Sequence, residues 1–132
     1  MRALLAMYPL ECHSRGVLSV RNILEDYGVD VVFMGNGTPK QIIDRAILER
    51  VDMVGISTYC GGELVLSEAL MNEAEDRGIK NKVVFMIGGI FPPDDNIKLR
   101  SLGFHEVFLS ATREEIIACI KKHIEEEELD KV

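Results

Sequence analysis

The chain has 132 residues, 47% of them hydrophobic, and a formal net charge of −7. That length suits one domain, and the apolar share supports a core without disulfides or structural metal. The charge argues against a nucleic-acid partner, which needs a basic face, and no segment approaches the ~20 apolar residues of a membrane helix.

Short β-rich runs alternate with helical ones. Ala3 to Met7 predicts the first strand, and Arg15 to Tyr27 the first helix, with Ser14 as its N-cap and Gly28 as its stop. Val31-Val32-Phe33 marks a strand over Asp30 to Met34. Thr38-Pro39 supplies a cap and a first-position proline for a helix with Ile42, Ile43, Ala46 and Ile47 on its apolar side. Met53 to Ile56 reads as the third strand, Ser57 to Gly62 as a loop, and Glu63 to Arg77 as a helix ended by Gly78. Val83 to Ile87 is apolar throughout, as in a strand covered on both faces. Gly88 to Pro93 reads as a loop, and Asp94 or Asp95 as the cap of a helix ending near Gly103. Glu106 to Leu109 predicts the last strand, and Thr112-Arg113-Glu114-Glu115 is a capping-box signature for the last helix. The acidic run Glu125 to Glu128, with Asp130, reads as a solvated tail over 125–132, leaving 1–124 as the domain.

Five strands alternating with five helices predict an α/β, flavodoxin-like, doubly wound parallel sheet with helices on both faces. The expected strand order is 2-1-3-4-5. Its switch point lies between strands 1 and 3, so a ligand belongs beyond their C-terminal ends. Three loops fall there: Pro9 to Gly16, Ser57 to Gly62, and Gly88 to Pro93.

Cys12, Cys60 and Cys119 form no CxxC pair and read as free thiols in a reducing cytosol. No signal-peptide pattern opens the chain, so a cytoplasmic protein is expected. His13 has three readings on residue chemistry alone: a solvated loop residue, a general base, or a metal ligand. Glu11, two residues before it, is placed to take the second imidazole N–H of a metal-bound histidine. A zinc set of Cys12, His13 and Cys60 is a rival, without an apparent fourth ligand. Gly35-Asn36-Gly37-Thr38 is a weak phosphate-loop candidate that reads better as a plain connection. His105 and His123 read as structural or solvated. A signalling receiver domain is set aside, because Ser57 and Thr58 stand where an aspartate should end strand 3.

Three motifs in order resemble the cobalamin-binding domain of adenosylcobalamin-dependent carbon-skeleton mutases and methionine synthase. The family's Asp-x-His-x-x-Gly stands here as Glu11-Cys12-His13-Ser14-Arg15-Gly16, its Ser-x-Leu as Ser57-Thr58-Tyr59, and its Gly-Gly as Gly88-Gly89. The surroundings resemble the acyl-CoA mutase branch, of methylmalonyl-CoA mutase type, and Cys12 beside the histidine is similar to the glutamate mutase small subunit. The likeness runs from Arg2 to about Ile124. It departs at Glu11 for Asp, Tyr59 for Leu, Pro9 for Gly, and Ser110-Ala111-Thr112 for Pro-Gly-Thr.

The resemblance implies adenosylcobalamin bound base-off over residues 1–124, with His13 as lower cobalt ligand and Glu11 as its partner. Ser57 would hydrogen-bond the buried base. Gly88 and Gly89 would make room for the nucleotide tail, and Arg15, Gly16 and Tyr59 complete the cofactor-binding set. The implied function is the cobalamin-binding subunit of a mutase, an isomerase part that works with a separate, large substrate-binding barrel subunit. The alternative is a stand-alone corrinoid carrier or cobalamin sensor. Corrinoid methyl-transfer proteins usually carry an N-terminal helical cap, and with strand 1 starting near residue 2 none is expected, which favours the mutase subunit.

Overall fold

The computed structural model describes residues 1–59, 61–109 and 111–125. Strands β1 (Arg2–Met7), β2 (Asp30–Asn36), β3 (Met53–Thr58), β4 (Val84–Gly89) and β5 (Glu106–Phe108) form one parallel sheet in the order β2-β1-β3-β4-β5. That is the order expected from the alternation of elements. The helices are α1 (Arg15–Asp26), α2 (Pro39–Glu49), α3 (Glu63–Asp76), α4 (Pro93–Leu102) and α5 (Arg113–Ile120), which runs on into a π-helical turn, Lys121–Glu125. Among the described residues, no helix is long and apolar enough to cross a membrane.

The period of two along each strand sorts side chains between two cores. Leu4, Ala6 and Tyr8 pack with Val54, Ile56, Phe85 and Ile87 on the face where Ile42, Ile43, Leu70 and Leu99 of α2, α3 and α4 cover them. Ala3, Leu5 and Met7 pack with Met53 and Met86 on the other face, under Val17 and Leu24 of α1 and Ile116 and Ile120 of α5. Cys119 lies in this second core. Burial, with the nearby Glu106 charge, pushes its thiol up to about 12, which keeps it a neutral packing residue.

Several boundaries differ from the sequence reading. Ser57 and Thr58 belong to β3, and Gly88 and Gly89 to β4, because ladder pairing continues past the apolar runs. One register row crosses the sheet through Asn36, Met7, Ser57, Gly88 and Phe108. Ser14 sits at the start of α1 without a side-chain cap bond. Asp94 and Asp95 lie inside the first turn of α4, which opens at Pro93 behind Pro92. The reciprocal capping box is on α2: Gln41 N donates to Thr38 Oγ1 and Thr38 N to Gln41 Oε1. Thr112 caps α5 by accepting from Glu115 N at 3.2 Å. Cys60, Ser110 and the tail from 126 to 132 lie outside the described residues. Glu125 accepts a hydrogen bond from the Tyr27 hydroxyl at 3.0 Å.

The exit from β1 is a tight turn. Glu11 N donates to Tyr8 O at 3.2 Å, with Pro9 at the second position and Leu10 at φ +67°. That third position normally takes glycine or asparagine. Leu10 is held there from outside: the Asn36 side-chain amide donates to Tyr8 O at 2.9 Å and to Glu11 O at 2.8 Å. At the other end of the sheet, His105 Nδ1 accepts from Phe85 N, and His123 Nε2 lies 3.1 Å from Glu106 Oε1, so both are structural.

Asn36→Ala removes both donors from the turn, and unfolding should show a loss of about 1–2 kcal/mol, with faster amide exchange over residues 8–13. Burial raises the Glu106 carboxyl, but the His123 hydrogen bond and the Arg100 charge outweigh it and hold it below the usual carboxylate range. Its stabilising contribution is therefore complete above the unfolded carboxyl pKa of about 4.3 and is lost as pH falls through the lower folded value. In thermal melts, Glu106→Gln should be less stable than wild type at neutral pH, and the two should converge below about pH 4.

Candidate functional site

A carboxylate buried at the sheet's C-terminal rim organises the site. Glu11 is 3% exposed, a position an unpaired charge does not occupy. Its Oε1 accepts from His13 N at 2.9 Å and lies 2.7 Å from His13 Nδ1. Its Oε2 accepts from the backbone N–H of Tyr59, just beyond β3. One side chain thus joins the loop after β1 to the exit of β3, across the switch point.

This pairing sets the imidazole. With a carboxylate at 2.7 Å, the hydrogen-bond network assigns the proton to Nδ1 and leaves the lone pair on Nε2. The His13 side chain is 62% exposed, and its ring leans on that of Tyr59, with centroids 5.7 Å apart. A carboxylate behind one nitrogen and an open second nitrogen is the arrangement of a metal-ligating histidine. Glu11, Cys12 and His13 also bring possible ligand atoms within 4.8 Å of one another, and Cys12 Sγ is 3.9 Å from Nδ1. With its proton directed at Glu11, Nδ1 has no lone pair to offer a cation, so Nε2 is the ring atom open to a ligand role. The third member of the zinc rival, Cys60, is not among the described residues.

Beside the histidine, a cavity of about 180 Å³ opens between the sheet and the pair α1 and α5. Its sheet wall includes Leu5, Gly55, Ser57, Met86 and Gly88, and its helix wall includes Gly16, Val17 and Ile116. Gly55, Ser57 and Gly88 are small residues on one face of adjacent strands, so the sheet is hollowed where a side-chain layer would otherwise lie. A Cβ on Gly88 would meet only ordinary contacts, the nearest at 3.7 Å from Phe108 O. Gly89 differs: its Cβ would fall 1.9 Å from Thr58 O, so glycine there is required by the backbone. A Cβ on Gly55 would press on the tips of Leu5 and Met86, at 2.7 and 2.9 Å. The lining combines apolar side chains with the Ser57 and Tyr59 hydroxyls, the mixed composition of a small-molecule site.

Glu11, His13, Gly16, Ser57, Tyr59, Gly88 and Gly89 therefore gather on one rim, as expected. Ser57 is buried and faces the cavity. Arg15 is exposed on the first turn of α1, outside the cavity lining. Two contributors escaped the sequence reading. Gly55 had a signal in its strand-interior position, two residues before Ser57. Asn36 had none, since only the register of β2 on β1 brings its amide to the turn.

The 2-hydroxyisobutanoyl-CoA mutase small subunit of Aquincola tertiaricarbonis is 36% identical over 113 residues, 85% of this chain and 82% of that protein. The pivalyl-CoA mutase small subunit of Xanthobacter autotrophicus is 31% identical over 122 residues, 91% of this chain and 81% of that one. A cobalamin-binding protein from Desulfitobacterium hafniense shares the fold at a TM-score of 0.79 and 20% identity, over 91% of this chain and 57% of its own. The profile of the B12 binding domain matches residues 1–121, nearly all of the sheet and its helices, and the chain belongs to that family.

Proposed function

We propose that this chain is the cobalamin-binding small subunit of an adenosylcobalamin-dependent carbon-skeleton mutase acting on acyl-CoA substrates. One observation carries the reading: an outward imidazole, backed by a buried carboxylate, stands beside a glycine-hollowed cavity. The two small subunits to which the chain is similar, matched over most of their length, support it.

His13 Nε2 would hold the cobalt, and the Nδ1–H bond to Glu11 fixes the ring and raises its basicity. The cavity would receive the dimethylbenzimidazole and its nucleotide, keeping that base away from cobalt. Ser57 would offer a hydroxyl to the buried base, while Gly16 and Gly88 keep the walls thin, Gly89 lets the end of β4 pass Thr58 O, and Tyr59 stands at the cavity edge. Adenosylcobalamin supplies a cobalt–carbon bond that breaks homolytically to start radical chemistry. A large substrate-binding barrel subunit would complete the enzyme, a reading supported by the two relatives, each named as the small subunit of a mutase. That subunit docks on the C-terminal rim, where Leu10, Ile90 and Leu109 are exposed around the site. A cytoplasmic location fits the free thiols of Cys12 and Cys119.

Wild-type protein titrated with hydroxocobalamin should give a base-off, histidine-on absorption spectrum. His13→Ala should lose the histidine-on component, and an unchanged free-cofactor spectrum with saturating wild-type protein would refute the reading. Glu11→Gln should weaken corrinoid binding about 10- to 100-fold, with circular dichroism unchanged. The two glycines separate fold from cavity. Gly89→Ala should cost about 3 kcal/mol of stability or more. Gly88→Ala should melt within a few degrees of wild type yet bind cobalamin at least about tenfold more weakly, a difference of 1.4 kcal/mol.

A further inference from the structure

Tyr59 is where this chain departs from the apolar residue of the motif it resembles, and three contacts define its pose. Its backbone N–H is bonded to Glu11 Oε2, its ring leans on His13, and its phenol oxygen packs over Gly16, where a Cβ would come within 2.8 Å of it. Tyr59 and Ser57 both line the cavity. Among the described residues, the only hydrogen bond Tyr59 makes is that backbone bond, so the phenol is a donor without a protein acceptor. A leucine would give the cavity edge apolar contact alone. A hydroxyl adds a directed donor, and a side chain held by its backbone bond and its ring contact with His13 loses little freedom when a ligand arrives.

We infer that the Tyr59 hydroxyl donates a hydrogen bond to a ribose-phosphate oxygen of the corrinoid's nucleotide tail, and that it sets the preference for corrinoids carrying that tail. The inference rests on the cobalamin reading above. Tyr59 is a specificity-determining residue: it grips the part of the cofactor that enters the protein and leaves the corrin face to other groups. Gly16 is the matching requirement on α1, since any side chain there would displace the phenol from its place.

The test compares two probes, hydroxocobalamin and diaquocobinamide, the same corrin without the nucleotide. Dissociation constants are measured by absorption titration for wild type and Tyr59→Phe, which keeps the ring and its contact with His13. The wild-type preference for the tailed corrinoid should fall about tenfold in Tyr59→Phe, the worth of one hydrogen bond to a charged oxygen. Thermal melts should be unchanged. An unaltered preference, or equal weakening toward both probes, overturns the inference while leaving His13 ligation intact. Failure of the wild type to bind either probe overturns the cobalamin reading, and this inference with it.

Discussion

The Glu11 carboxylate is the interaction on which the rim depends. It is buried, and each oxygen is met by an N–H from the chain around it. Removing a carboxylate from water costs several kcal/mol unless such donors surround it. The cost is met by bonds that run across the switch point, so the requirement to satisfy one charge fixes two loops at once. His13 inherits its orientation from that requirement, as a histidine on an untied exposed loop would not. The longer reach of glutamate is used here, since its two oxygens serve different elements.

The other constraint is the shape of the slot, set by strand periodicity and register. Residues alternate between the two cores, so Gly55, Ser57, Met86 and Gly88 face α1 and α5 while Ile56, Ile87 and Gly89 face α2, α3 and α4. Adjacent glycines therefore do unrelated jobs. Gly88 leaves space in the cavity wall. Gly89 lets the backbone of β4 pass Thr58 O, which holds the end of β3 at the height from which Tyr59 reaches Glu11.

The chain's histidines differ for reasons of partner rather than residue type. His105 accepts from a strand amide, and His123 is bonded to Glu106 while its ring sits edge-on to His105, 5.3 Å between centroids. Those groups close the bottom of the sheet. His13 alone points a nitrogen outward at the rim, with a carboxylate behind it. Function and structure thus occupy opposite ends of the same strands, as expected of an open parallel sheet whose loops carry the chemistry.

Much of this was legible in the amino-acid order. Runs such as Leu4-Leu5-Ala6 and Val84-Phe85-Met86 read as strands buried on both faces, and Thr38-Pro39 and Thr112 through Glu115 as helix starts, so the alternation of elements followed from local chemistry, and the strand order was the choice that alternation suggested. Local chemistry could not place strand ends, because ladder bonds from neighbours carry β3 to Thr58 and β4 to Gly89 past their apolar runs. Nor could it find Asn36, whose amide meets the turn at Tyr8 only through the register of β2 on β1, or divide the work of Gly88 and Gly89, which depends on which face each presents. Sequence by itself determined which groups the rim would carry. The tertiary structure decided their distances, the tautomer of His13 and the depth of the slot, because those depend on contacts between segments tens of residues apart.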